Sequence, residues 1–332
     1  MTASLKRSTI ASVGWTVARV GWTNVTSFLL FVVLTRLLDP IVFGIFALST
    51  VFVDVARVLS TAGLADAVMR EPELSEEMAD TAFWANVGFA CLVMLVILLC
   101  AGPYAAFMGQ PKVRPVISML ALLMPVAALG GIHTARLQRE FGHKALALRT
   151  MLASIFASLA AIGAALAGAG VWSLVVQAAV TDVAQLALAL WTFRWRPQLR
   201  FSSVALRSLF GFSTSMVATQ LLWLVMMRAP ELFIGRVLGT AAVGRFRVSW
   251  RLIDLLGQAM LTPMAGVSLI TLARVQTDIE RFRRIWSVMV VGAALLTLPA
   301  ILGMGPSPTT SSPSLSGRAG VKMAIWYGCL RL

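Results

Sequence analysis

The sequence predicts an all-α, polytopic transmembrane helical bundle of two repeated lobes, the second incomplete, with about nine spans in all. Hydrophobic residues make up 58% of the chain and charged residues 13%, where an ordinary soluble domain is about a quarter charged. The apolar residues gather in runs of about 20, enough for a helix to cross a hydrocarbon core of roughly 30 Å, whereas an outer-membrane barrel would show shorter alternating segments. The chain also repeats itself. Displaced by 200 residues, Arg36 falls on Arg236, Leu38 on Leu238, Gly44 on Gly244, Phe46 on Phe246, Ser49 on Ser249 and Asp54 on Asp254. One copy takes about 200 residues, so a chain of 332 is expected to carry only part of the second.

Helices are expected over 10–34, 41–64, 81–101, 114–133, 146–168, 171–192, 208–228, 243–272 and 286–304. Before the first stand Lys6 and Arg7, with no short hydrophobic core and small-residue cleavage site, so it reads as an uncleaved span. Spans two and three are joined by an acidic connector, Glu71, Glu73, Glu76, Glu77 and Asp80, expected to be solvated. His133 and His143 fall at the basic connection between spans four and five, and Gly163, Gly168 and Gly170 punctuate the helices that follow. Arg194 to Arg207, with Pro197, reads as the linker between lobes. The chain thus divides into a six-helix N-terminal lobe over 1–200, a partial C-terminal lobe of three spans over 201–305, and an irregular tail over 306–332. That tail opens on Pro-Ser-Pro-Thr-Thr-Ser-Ser-Pro-Ser and is expected to come from a shifted reading frame or a truncated gene.

The formal charge of +14 is spread unevenly. Lys6, Arg7, Arg70, Arg136, Arg139, Lys144, Arg149, Arg194, Arg196, Arg200, Arg207, Arg274, Arg281, Arg283 and Arg284 fall on one side of the threaded chain. Only Arg36, Lys112, Arg114, Arg228 and Arg236 fall on the other. The bias places the N-terminus in the cytoplasm. It also accounts for the cations without nucleic acid, which needs a basic face left over for phosphates. Cys91, Cys100 and Cys329 make neither a disulfide framework nor a metal-ligand cluster. No nucleophile or metal set stands near the two histidines, so neither an enzyme nor a metal site is expected.

Inside the spans the polar residues run in stripes. Ser12, Thr16, Arg19, Thr23 and Thr26 share one helical face; so do Thr50, Asp54, Arg57 and Thr61. Arg247, Arg251, Asp254 and Gln258 repeat the arrangement, and span six adds Gln177, Thr181 or Asp182, and Gln185. Two readings stand. Asp54 with Arg57, and Arg251 with Asp254, can neutralise each other at a spacing of three and lock helices together. Alternatively the faces line a hydrated cleft, where intramembrane ions belong, and an excess of guanidinium there suits a phosphate-bearing ligand. Trp15, Trp22, Trp223 and Trp250 read as packing or interfacial anchors, on one of which a sugar could stack.

The stretch Thr35-Arg-Leu-Leu-Asp-Pro-Ile-Val-Phe-Gly-Ile-Phe, after a span containing Gly14-Trp15, resembles the opening of Wzx-type oligosaccharide flippases. These are polysaccharide biosynthesis proteins of the multidrug/oligosaccharidyl-lipid/polysaccharide transporter superfamily. Gly170-Val-Trp-Ser-Leu-Val-Val-Gln, Gly235-Arg-Val-Leu-Gly-Thr-Ala-Ala-Val-Gly and Leu272-Ala-Arg-Val-Gln-Thr-Asp are similar too, and the likeness covers about residues 5 to 305. It implies two six-helix lobes about a cleft and a flippase moving lipid-linked oligosaccharide across the bacterial inner membrane for exopolysaccharide or lipopolysaccharide. The partners it implies are a polyprenyl-diphosphate-linked oligosaccharide, membrane lipid and polysaccharide polymerase machinery. Nine spans, and Arg245 with Arg247, depart from the family pattern. On this reading Arg19, Arg57 and Arg251 contact the head group, Asp54 and Asp254 orient guanidiniums or sense protons, and Thr16, Thr23, Gln177, Gln185 and Gln258 line the cleft. No cofactor is expected, and coupling to H+ or Na+ stays open. The alternatives are a multidrug or cation antiporter on the same fold and an inactive truncated product.

Overall fold

A computed structural model describes residues 2–61, 64–70, 75–139, 143–192, 195, 197–251 and 254, with isolated positions beyond 280. The chain divides into two compact units, Met1–Leu255 and Leu256–Leu332; every feature below belongs to the first. The second half of expected span eight with Gln258, span nine and the tail over 306–332 lie outside the described residues.

Among the described residues the chain is helical throughout: α1 Thr2–Leu37, α2 Pro40–Thr61, α3 Leu64–Arg70, α4 Glu76–Phe107, α5 Val113–Leu122, α6 Met124–Arg139, α7 His143–Leu166, α8 Val171–Thr192 and α9 Ser203–Leu238. A further helix, α10, is described over 240–251. Among the described residues, six segments are long and apolar enough to cross a membrane: Gly14–Leu37, Pro40–Ser60, Glu76–Phe107, Val113–Gln138, Lys144–Leu166 and Val171–Thr192. The α4 segment is among the most apolar, yet large side chains such as Leu92, Leu95 and Leu99 stand outward, Leu99 being 79% exposed. An apolar exterior of this kind is solvated by lipid, and the chain is a multi-pass membrane protein.

Span four proves to be two helices, α5 and α6, broken at Leu123, whose N–H turns back to the Leu120 carbonyl at 3.2 Å. Pro125, with no N–H to give, stands in the first turn of α6, where its missing donor costs the helix no hydrogen bond. The helix before the linker, α8, keeps the expected bounds, while the one after it runs longer, Ser203–Leu238 against 208–228. The Ser202 hydroxyl caps α9 by accepting from the Ala205 N–H at 3.4 Å, and Gly239, at φ 81°, ends it.

Three apolar clusters hold the bundle. Leu48 and Val53 of α2, Ile97 and Ala101 of α4, Val116, Ile117 and Leu120 of α5 and Val175 of α8 form the largest. Within it Tyr104 stacks on Phe52 at 4.7 Å and gives its hydroxyl proton to the Leu48 carbonyl at 2.9 Å. A second cluster joins α3, α4 and α6 around Leu64, Phe83 and Ile132; a third joins α1, α2, α7 and α8 around Leu34, Phe43, Ala161 and Leu174.

The linker after α8 is stitched to the first six-helix stretch rather than loose. Gln198 N–H donates to Asp80 at 3.1 Å, Ser202 N–H to the Thr81 hydroxyl at 3.0 Å, and Trp84 donates to the Gln198 carbonyl at 2.9 Å. Trp195 donates to Glu76 at 3.0 Å and carries the Arg136 guanidinium over its ring, while Arg136 pairs with Glu76 through two bonds of 2.8 and 2.9 Å. Two expectations are corrected here. Asp80, expected in a solvated connector, is buried inside α4, and Glu71 and Glu73 of that connector lie outside the described residues. His133, expected at a loop, is 1% exposed within α6, its ring nitrogens 3.1 and 3.3 Å from the Leu129 and Trp195 carbonyl oxygens.

The repeat is visible in space. Helices α1 and α9 have 36 residues each, and each leads through a tight connection into its successor, α2 or α10. Those successors cross at Gly44 and Gly244. A Cβ added at Gly44 would overlap the Thr240 carbonyl, and one added at Gly244 would overlap the Pro40 carbonyl. Exchanging the copies exchanges the partners, since 40 and 44 become 240 and 244. Glycine is needed at both positions because the two backbones meet with no room for a side chain.

Candidate functional site

Beside this crossing lies a cleft of about 530 Å³, bounded by α1, α2, α8, α9 and α10. Its two sides differ in chemistry. Leu30, Phe31 and Leu34 of α1 with Phe43 and Phe46 of α2 make an apolar wall. Arg228 and Glu231 of α9 with Arg247, Arg251 and Asp254 make a charged one, and Gln177, Trp223 and Trp250 complete the lining.

The charged wall is a chain of four linked groups and a separate pair. Arg228 reaches Asp54 of α2 at 2.7 Å through one nitrogen and Glu231 at 3.2 Å through the other. The Glu231 carboxylate, 3% exposed, receives Arg247 at 2.6 and 2.7 Å. Arg251 pairs with Asp254 at 3.3 Å on the same helical face. The i,i+3 spacing that points Arg228 and Glu231 the same way straddles Pro230, which has no N–H of its own. Among the described residues at the cleft, three arginines meet three carboxylates once Asp54 is included, so the excess of guanidinium expected from the stripes is not found there.

The expected site residues are only partly gathered. Arg251, Asp254 and Gln177 line the cleft, and Asp54 touches it through Arg228. Arg57 lies further along α2 and pairs with Asp182 of α8 at 3.1 Å, so Asp54 and Arg57 take separate partners on other helices instead of each other. Arg19, Thr16 and Thr23 are not among the lining residues. Thr23 returns its hydroxyl proton to the Arg19 and Val20 carbonyls of its own helix at 2.9 and 3.0 Å, as Thr26 does to Trp22 at 2.8 Å. Gln185 stands away from the cleft, its carbonyl accepting from Arg149 at 3.2 Å. Gln258 lies outside the described residues.

Three participants lie outside the expected stripes: Glu231, Arg228, which the charge bias counts only on the outer side, and Arg149, which it counts only on the cytoplasmic side. Arg228 stands within α9 at the cleft, and Arg149 is buried within α7, donating to the Thr134 hydroxyl at 3.3 Å. The signal for the first pair was a lone acid three residues from an arginine in an otherwise apolar helix.

Comparison with known proteins agrees with the fold. The family described as polysaccharide biosynthesis protein matches residues 33–306. A succinoglycan biosynthesis transport protein, ExoT, of Rhizobium meliloti (strain 1021) is 26% identical over 92% of this chain and 62% of its own length. A lipopolysaccharide biosynthesis protein, WzxC, of Escherichia coli (strain K12) is 23% identical over 91% of this chain and 62% of its own. The chain thus spans about 62% of the length of these curated relatives. Among solved structures, the inward-facing conformation of a multidrug resistance MATE family transporter of the MOP superfamily is similar with a TM-score of 0.55. It is 18% identical and covers 88% of this chain and 69% of that one, a likeness of fold.

Proposed function

Because the chain belongs to the polysaccharide biosynthesis protein family, we propose that it serves as a flippase for lipid-linked oligosaccharide, acting in the bacterial inner membrane with its N-terminus in the cytoplasm. The observation that carries this reading is the family match over 33–306, whose relatives are named for succinoglycan transport and lipopolysaccharide biosynthesis. The two-sided cleft fits it. A polyprenyl-diphosphate head would lie against Arg251, Arg247 and Arg228, which can present paired N–H groups to phosphate oxygens. The isoprenoid tail would run along the Leu30, Phe31 and Phe43 wall toward lipid, and the rings of Trp223 and Trp250 offer faces to a sugar. A volume of about 530 Å³ suits the diphosphate with its first sugar rather than a whole oligosaccharide. Asp54 and Asp254 would hold the guanidiniums in register. Arg57, tied to Asp182, would fix α2 to α8 behind the cleft. Transport would follow from exposing the cleft to one side and then the other.

The equal count of acids and arginines favours a second reading, a cation antiporter, since a carboxylate pair in a cleft with tryptophans also suits an organic cation. One experiment separates them. The chain, alone and extended to the length of its relatives, is expressed in an export-deficient polysaccharide strain and in a drug-sensitive strain. Restored polymer export that is lost on Arg251→Gln supports the flippase; drug resistance without export rejects it.

A further inference from the structure

Resting on the head-group reading above, we propose that Glu231 is the resident anion of the cleft: it occupies the guanidiniums of Arg247 and Arg228 and is displaced when a phosphate-bearing ligand takes them, so that it sets the affinity for that ligand. The placement supports this. Glu231 is 3% exposed, although a lone carboxylate is rarely tolerated in such a site. Both its oxygens are served by the same Arg247 nitrogen, at 2.6 and 2.7 Å, and by the Arg228 Nη1 at 3.2 and 3.4 Å. Both arginines line the cleft with Arg251, so a phosphate arriving there meets guanidiniums already engaged. The other nitrogen of Arg228 stays on Asp54 at 2.7 Å, which holds the network to α2 while Glu231 yields. A carboxylate and a phosphate oxygen ask the same thing of an arginine, two acceptors in one plane, and exchange between them keeps the arginine satisfied at every stage. A resident competitor also limits how tightly the ligand is held, which a carrier needs in order to release it.

The test is equilibrium binding of radiolabelled geranylgeranyl diphosphate and inorganic pyrophosphate to the full chain in nanodiscs, with geranylgeraniol as the tail-only probe. Glu231→Gln is expected to bind the diphosphate at least tenfold more tightly than the wild type. Glu231→Gln combined with Arg247→Gln should lose that gain, because the charge balance is restored without a competitor. Tightening toward pyrophosphate as well means the site reads phosphate alone; tightening toward the lipid diphosphate only means the tail must be seated first. Both outcomes support the inference. Binding of Glu231→Gln no tighter than the wild type overturns it, and leaves the head-group reading intact where the wild type binds the diphosphate over geranylgeraniol. If neither protein binds either anion, both readings fall. Should Glu231→Gln fail to fold, Glu231→Asp, whose shorter arm loosens the Arg247 contacts, is expected to bind several-fold more tightly, and unchanged affinity overturns the proposal.

Discussion

The two walls of the cleft descend from equivalent parts of a repeated sequence, yet they have opposite chemistry. Under the displacement of 200 residues, Phe28 corresponds to Arg228, Phe31 to Glu231, Ala47 to Arg247 and Val51 to Arg251, while Asp54 keeps its counterpart in Asp254. The glycines that bring the backbones together are kept in both copies, and the side chains facing the cleft are not. Packing geometry is therefore shared between the copies. Ligand chemistry belongs to one of them.

The sharpest way to break that contrast is to unbalance the charged wall. Arg247→Ala leaves Glu231 buried with only the longer Arg228 contacts, and unfolding in detergent should come about 3 kcal/mol sooner, since an abandoned buried charge costs several kcal/mol. A loss under about 1 kcal/mol would mean that water already serves Glu231. The shared geometry is tested next. Gly44→Ala and Gly244→Ala should each cost about 1–3 kcal/mol, and by similar amounts, because each methyl meets the same backbone group of the other copy. Loss at one position alone, in the same unfolding assay, would deny the equivalence.

Smaller effects sharpen the comparison. Phe31→Leu on the apolar wall should cost about 1 kcal/mol and leave pyrophosphate binding unchanged, because that wall contributes area and no charge. Smallest of all is Arg136→Gln away from the cleft. It removes the paired contact to Glu76, itself 60% exposed, and the stacking on Trp195, for roughly 0.5 kcal/mol, read as faster proteolysis between α8 and α9.

Sequence periodicity located the helices because lipid demands long apolar runs, and the repeat aligned Gly44 with Gly244 without saying that they touch. The failures share a cause. Polar spacing along one helix shows which residues share a face, but not which neighbour that face meets, so of the two pairs the spacing allows, Arg251 with Asp254 forms while the fold gives Asp54 to Arg228 and Arg57 to Asp182. Thr23 and Thr26 look like cleft residues in a stripe, but a hydroxyl in a helix can satisfy itself on its own carbonyls. Counting charges by side says nothing of where Arg149 and Arg228 point, because an arginine near a predicted span end can equally turn inward. Asp80 and His133 were hidden for a similar reason: what they bind, the stretch 195–202, is over sixty residues away in the chain.

The glycine crossing is self-complementary, each partner seeing what the other sees. Such mutual contact is the geometry of an isologous two-fold interface, held here within one chain. Within one chain the halves need not be identical, and one carries acids and arginines on its side of the cleft while its twin stays apolar.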